Sequence, residues 1–335
     1  MMKRKCRLAA LLLSMVLLLT GCADAAPSTD KESGVNFFFD TVVTVTLYGA
    51  DAGLMEDIWT ACSRYEQLLS KTVWDSDVSR INAAGGEAVT VDPETWDILR
   101  RAREISAATG GAFSVTIAPL SAMWDFTDGT NRMPTEEERL AALPLVDDSK
   151  IVLGENNTVT LPAGMQVDLG GIAKGYIADK VAEMVKGRAS GAILSFGGNV
   201  YAVGGKPDGS AFNVGVQDPF KGSGVAMAVV SVKDLSVVTS GTYERGFEVD
   251  GVRYHHILNP ETGLPSDSDL VSATLVMTSS MDADALATAC IVVGSEKALV
   301  LLADMGVDAV LVTSGGEVLT TPGFTDRYPF YILEY

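Results

Sequence analysis

Val167-Asp168-Leu169-Gly170-Gly171-Ile172-Ala173-Lys174-Gly175-Tyr176 decides the reading of this chain. Val167 to Leu169 reads as the end of a strand. Gly170 and Gly171 predict a turn with no side chains in the way. From Ile172 onward, Tyr176, Ile177, Val181, Met184 and Val185 fall at helical spacing on one face, which predicts a helix. The first turn of such a helix offers bare N–H groups and the positive end of a dipole. Lys174 adds a full positive charge there. The arrangement suits a phosphate or diphosphate. A strand-turn-helix packed for its own sake fits the same residues.

Strands and helices are mixed on both sides of this stretch. Phe37 to Tyr48 alternates and is rich in Val, Thr and aromatics, predicting a strand. Asp51 to Ser70 has helical period, and Asp75 to Gly86 is turn-rich. Asp92-Pro93 opens a helix that Gly110-Gly111 closes. Phe113 to Ile117 predicts a short strand, and Thr135 with Glu138 predicts a capping box. Asp250-Gly251 predicts a hairpin between Phe247–Val249 and Arg253–Ile257. Asp282–Val293 and a segment from Ser295 to Asp304 predict helices. The expected class is α+β: mixed, mostly antiparallel sheets with packed helices and a ligand cleft between two lobes.

The 335 residues are 47% hydrophobic and 20% charged, enough for a large core. A formal charge of −18 argues against binding a nucleic acid backbone. Lys3, Arg4, Lys5 and Arg7 precede a largely apolar run from Leu8 to Leu19, too short to span a bilayer comfortably. Leu19-Thr20-Gly21-Cys22 follows and resembles a bacterial lipoprotein signal. The resemblance implies cleavage before Cys22, lipidation of its thiol, and an extracytoplasmic protein anchored to the bacterial cell membrane. A plain secretory signal with an incidental Cys22 is the alternative. The expected organisation is a signal over residues 1–21, a flexible tether over 22–35 and one domain over 36–335. Cys62 and Cys290 sit among apolar neighbours in helical patterns and read as buried thiols rather than a disulfide.

Two later constellations carry chemistry. His255 and His256 are the only histidines, and neighbours on a strand point to opposite faces, so at most one shares a given site. Ile257-Leu258-Asn259-Pro260-Glu261-Thr262-Gly263 follows as a constrained turn. A structural histidine and a general base near neutral pH both fit. Asp282, Asp284 and Thr288 form the second set. Asp284 and Thr288 are four residues apart on a helix, so their oxygens face one way. A carboxylate, a hydroxyl and a backbone carbonyl suit Mg²⁺ better than zinc, while helix capping by the aspartates fits equally.

Five motifs in order, VDLGGIAKGY, SFGGN, TSGTYER, HHILNPETGLP and MDADALATA, resemble the ApbE family of flavin transferases over roughly residues 36–330. The resemblance implies that FAD is bound as a substrate with Mg²⁺. It implies transfer of FMN to a threonine hydroxyl of a redox protein at the membrane, through a phosphodiester, with AMP released. It carries the cation ligands onto Asp284, Thr288 and the carbonyl of Gly171, and the base onto His256. Flavin-nucleotide contacts carry over to Phe39, Thr72, Ala112, Phe113, Ser114, Asp168, Lys174 and Leu258. The chain departs from the family pattern at Phe39-Asp40-Thr41, Ser114, Thr242 and Asn259. A Mg²⁺-dependent FAD pyrophosphatase and a non-catalytic flavin-binding lipoprotein are the rival readings.

Overall fold

The structure is a computed structural model that describes residues 30–126 and 129–334. Residues 1–21 and Cys22, on which the signal and lipidation expectations fall, lie outside them.

An eight-stranded antiparallel sheet is the frame. In spatial order its strands are Lys31–Phe38, Thr41–Tyr48, Gly191–Phe196, Asn199–Gly204, Leu235–Gly241, Leu270–Met277, Asp308–Thr313 and Val318–Thr320. Val43, Val45 and Leu47 bury one face against helices Leu54–Leu69, Ala173–Val185 and Ser280–Val293. The other face carries Ala202, Val237, Val276 and Val310, packed on Val214, Val216 and Val230 of a three-stranded sheet. This two-sided burial explains why Leu270–Met277 is apolar almost throughout rather than alternating. A separate small cluster unites Leu120, Trp124, Ala142, Phe247 and Leu258. The expected α+β class with antiparallel sheets is what forms.

Several local expectations need correction. The single strand read over Phe37–Tyr48 is two strands, because Phe39 and Asp40 adopt φ of 57° and 55° and reverse the chain. Residues 31–35, assigned to the tether, belong to the first strand of that hairpin, paired in register from Lys31↔Tyr48. The turn-rich Asp75–Gly86 contains helix Asp77–Ala83, started by Ser76 accepting from the Ser79 amide and held by buried Val78 and Ile81. Phe113–Ile117 is no strand: Val115–Ile117 is a 3₁₀ turn, because the buried Asp148 carboxylate takes the amides of Val115 and Thr116. Val167–Leu169 joins no sheet. Asn82 stands in for a neighbouring strand, donating to the Val167 carbonyl at 2.9 Å and accepting from its amide at 2.7 Å.

The expected capping box at Thr135 and Glu138 forms. So does the hairpin Gly246–Val249/Val252–His255, with φ of 52° and 79° at Asp250 and Gly251.

Candidate active site

The glycine turn and the acidic helix meet. Helix Ala173–Val185 begins directly after Gly170-Gly171, with Ile172 at its cap position and no side chain closing it. Helix Ser280–Val293 lies against it so closely that a Cβ on Gly175 would fall 2.1 Å from the Ser280 carbonyl oxygen. Only glycine allows this approach.

Asp284 is buried at the contact, 3% exposed. Its Oδ2 accepts from the Gly175 amide at 3.0 Å. Lys174 Nζ lies 3.3 Å and 3.5 Å from the two carboxylate oxygens and donates to the Gly170 carbonyl at 3.0 Å. The ion pair is loose, so Oδ1 is held by nothing shorter than 3.3 Å.

One turn along, Thr288 Oγ1 donates to the Asp284 carbonyl at 3.3 Å and lies 3.3 Å from Ser240 Oγ. A Cβ on Gly171 would stand 3.9 Å from Thr288 Oγ1, so that turn faces the threonine. The Asp284 carboxylate and the Thr288 hydroxyl, one turn apart on helix Ser280–Val293, thus stand against the glycine turn from a distant part of the sequence. Among the described residues no group of three or more His, Cys, Asp or Glu side chains could hold a metal ion, so a cation here would depend on hydroxyl and backbone carbonyl oxygens beside Asp284. This donor set fits Mg²⁺.

Asp282 turns away from this convergence. Arg101 grips it through Nε at 2.8 Å and a terminal nitrogen at 2.7 Å. Of the three residues grouped from sequence, Asp284 and Thr288 belong together and Asp282 ties the helix to its neighbour Pro93–Ala108.

Asp168 closes the near side of the turn. Oδ1 accepts from the Gly170 amide at 2.8 Å, and Oδ2 pairs with Lys71 Nζ at 2.6 Å. Its own amide donates to the Val115 carbonyl at 2.7 Å, which links it to the Asp148 anchor. Phe113 lies under the turn, its ring 3.2 Å from where a Gly171 Cβ would be. Ala112 is partly buried beside it.

Ser114 is committed elsewhere: it donates to Asp148 Oδ1 at 2.6 Å and caps the 3₁₀ turn. Thr72 sits beside Lys71 and bonds locally to Ser70. Phe39 packs on the core edge, with its amide on Glu66 Oε1 at 2.7 Å. Leu258 is buried in the Trp124 cluster, and its backbone bridges to Pro265.

The two histidines separate as strand geometry requires. His255 is buried and its Nε2–H donates to the Ser266 carbonyl at 2.9 Å. His256 is half-buried, and its Nδ1–H donates to the Arg245 carbonyl at 3.3 Å. That bond places the free lone pair on Nε2. Burial pushes His256 down to about 4, helped by the positive charges of Arg245 and Lys174. His256 also lies at a seam, since Ile257 packs in the main core and Leu258 in the small cluster.

Glu244, which the sequence reading did not single out, is exposed, and desolvation raises its pKa against the pull of Lys174 and Arg245. The segment carrying it runs from Ser240, on Thr288, to Arg245, on His256. Arg245 acts through its carbonyl, which no side-chain pattern signals. Asp179 is the other omission. Its one signal was a carboxylate one helical turn after Gly175.

An antiparallel sheet flanked by helices, with a glycine turn at an uncapped helix start against the buried Asp284 carboxylate and the Thr288 hydroxyl, is the frame of an α+β enzyme that handles an anionic substrate. The sequence profile of the ApbE family matches residues 39–322. The chain belongs to the ApbE family. It is 39% identical over 291 residues to a FAD:protein FMN transferase of Treponema pallidum, covering 82% of this chain and 80% of that one. It is 34% identical to one of Klebsiella pneumoniae, covering 83% and 87%. Among solved structures it resembles the ApbE protein of Thermotoga maritima, with a TM-score of 0.82, 31% identity and coverage of 88% and 98%. The apo flavinyl transferase ApbE of Pseudomonas stutzeri superposes with a TM-score of 0.79 at 28% identity, covering 89% and 96%.

Proposed function

We infer that this protein is a transferase that moves FMN from FAD onto a protein, in a Mg²⁺-dependent reaction at a threonine hydroxyl. The observation that carries the reading is Lys174 bridging the Gly170 carbonyl and Asp284, which joins an anion-binding turn to a cation-binding helix. The first turn of helix Ala173–Val185 and Lys174 bind the diphosphate of FAD. Gly171, Asp284 and Thr288 would hold the cation, which would supply charge neutralisation for the diphosphate. His256 Nε2 takes the proton from the incoming threonine. The threonine oxygen bonds to the FMN phosphorus, the bond to the second phosphate breaks, and AMP departs. Asp168, Phe113, Ala112 and Thr72 line the approach to the turn; Phe39, Ser114 and Leu258 support it through backbone or packing.

The acceptor is a redox protein or domain at the membrane, and Cys22 is the lipid anchor that holds the enzyme beside it. The relatives' names support the reaction; the signal-like Leu19–Cys22 stretch supports the location. Incubating the protein with FAD, Mg²⁺ and a candidate acceptor, then mapping the acceptor by mass spectrometry, tests this directly. An FMN adduct on threonine with equimolar AMP is expected. FMN and AMP with no adduct on any acceptor identify a pyrophosphatase instead.

A further inference from the structure

Asp179 lies one helical turn after Gly175, on the same face of Ala173–Val185. Its carboxylate is partly exposed and is bonded to the start of the neighbouring helix. Oδ1 accepts from the Ser280 amide at 2.7 Å and Oδ2 from the Met281 amide at 3.0 Å. The Ser279 hydroxyl donates to Oδ2 at 3.4 Å. These amides open helix Ser280–Val293 and have no partner within it. Ser279 meanwhile accepts from the Asp282 amide at 3.1 Å, so the helix is capped by its own residue and by its neighbour's.

The bonding is reciprocal. Asp179 of the first helix holds the amides of Ser280 and Met281. Asp284 of the second helix, one turn after Ser280, holds the amide of Gly175, one turn before Asp179. Two four-residue spacings interlock, with the glycine at the crossing where no Cβ fits. The clamp leaves little freedom in how far the Gly171 turn stands from Asp284 and Thr288. Burial pushes Asp179 up to about 6, and only its donors keep the charge tolerable.

We propose that Asp179 is a positioning residue for the cation site: by clamping the Ser280–Val293 helix it sets the spacing of Gly171, Asp284 and Thr288, and so the affinity for the divalent cation. This rests on the cation site inferred above. Residues that orient metal ligands without touching the metal change affinity by about 10–100-fold when removed.

The test is calorimetric titration of Mg²⁺ into the full chain saturated with ADP, which supplies a diphosphate without a flavin to transfer. Asp179→Asn and Asp179→Ala are compared with Asp282→Asn, which loosens the same helix start without touching the clamp. Both Asp179 variants should weaken Mg²⁺ about 10–100-fold, with ADP affinity in EDTA unchanged. Asp282→Asn should leave Mg²⁺ affinity as it is. If Asp179→Ala does not fold, Asp179→Asn decides. A lower Tm with unchanged Mg²⁺ affinity makes Asp179 a plain stabiliser and overturns the proposal. Equal weakening in Asp282→Asn overturns it too, since any loosening would then suffice. If the unmutated protein with ADP binds no Mg²⁺, the cation reading itself fails and takes the proposal with it.

Discussion

The amide of Gly175 donates to Asp284 Oδ2 at 3.0 Å, while the ammonium of Lys174, one residue earlier, comes no closer than 3.3 Å to Oδ1. One carboxylate oxygen is therefore fixed by backbone, and the other faces a charge that a divalent cation can displace. Joining the helices uses one oxygen of Asp284, and the cation role proposed above falls to the other.

Replacing Asp284 by Ala removes both functions. The transferase should lose its response to Mg²⁺ together with its activity. The buried Gly175 amide, left without an acceptor, should cost about 1–3 kcal/mol of stability. A Mg²⁺ titration of FMN transfer and a denaturant melt check the two halves. An unchanged metal titration rules out the assignment.

Gly175→Ala tests the close approach. The new methyl carbon would sit 2.1 Å from Ser280 O, 2.6 Å from its carbonyl carbon and 2.7 Å from Met281 Cα, all backbone atoms. The helices must part, at a cost of about 1–3 kcal/mol or more. Thermal unfolding should show the loss, and FAD turnover should demand more Mg²⁺. A variant with wild-type Tm would mean that the helices are less tightly apposed than here.

His256 sets the pH response. Its folded value is about 4, against an ordinary 6.5, because burial disfavours the charged ring. The base form is present above that value, so transfer should hold steady as pH falls through 6.5 and decline only near 4. The unfolded chain takes up its proton near 6.5, so this residue lowers stability progressively as pH falls from 6.5 towards 4. His256→Ala should bind FAD normally and transfer FMN about 10²–10⁴-fold more slowly. Transfer at the normal rate removes His256 from its role.

Asp282→Asn separates capping from catalysis. It breaks the two-pronged contact with Arg101, in which Asp282 is 16% exposed. A stability loss of about 1–3 kcal/mol is expected, with kcat for FMN transfer near that of the unmutated protein. A large drop in kcat per folded molecule would return Asp282 to the site.

Cys62 and Cys290 are both buried and free, and burial pushes each thiol up to about 12. Neither should react with iodoacetamide in the native protein at pH 8, and both should react in denaturant. Peptide mapping reads this out; labelling of Cys290 in the native state would show that the Ser280–Val293 helix opens.

Patterns local to a few residues were legible before any coordinates. Helix spacing after Ile172, the Thr135–Glu138 capping box and the Asp250-Gly251 hairpin follow from side-chain period and turn chemistry alone. Where reading failed, a distant group had replaced the expected local partner. Val167–Leu169 has strand character but bonds to Asn82, and Val115–Thr116 curls around Asp148 rather than pairing. Phe39-Asp40 hides a reversal inside an alternating run, because only φ and not composition marks it.

The sequence by itself determined which chemical groups are available: an open glycine turn with Lys174, a carboxylate and hydroxyl four residues apart, and two adjacent histidines. Helical and strand periods decide which of these share a face, and that is a local matter. Tertiary structure alone decided which carboxylate meets the turn, because Asp282 and Asp284 differ only in whether Arg101 or Gly175 lies opposite. It also decided that Asp179 closes the neighbouring helix and that Arg245 orients His256. Those partners are backbone amides and carbonyls, identical at every position in the chain, and only packing selects among them.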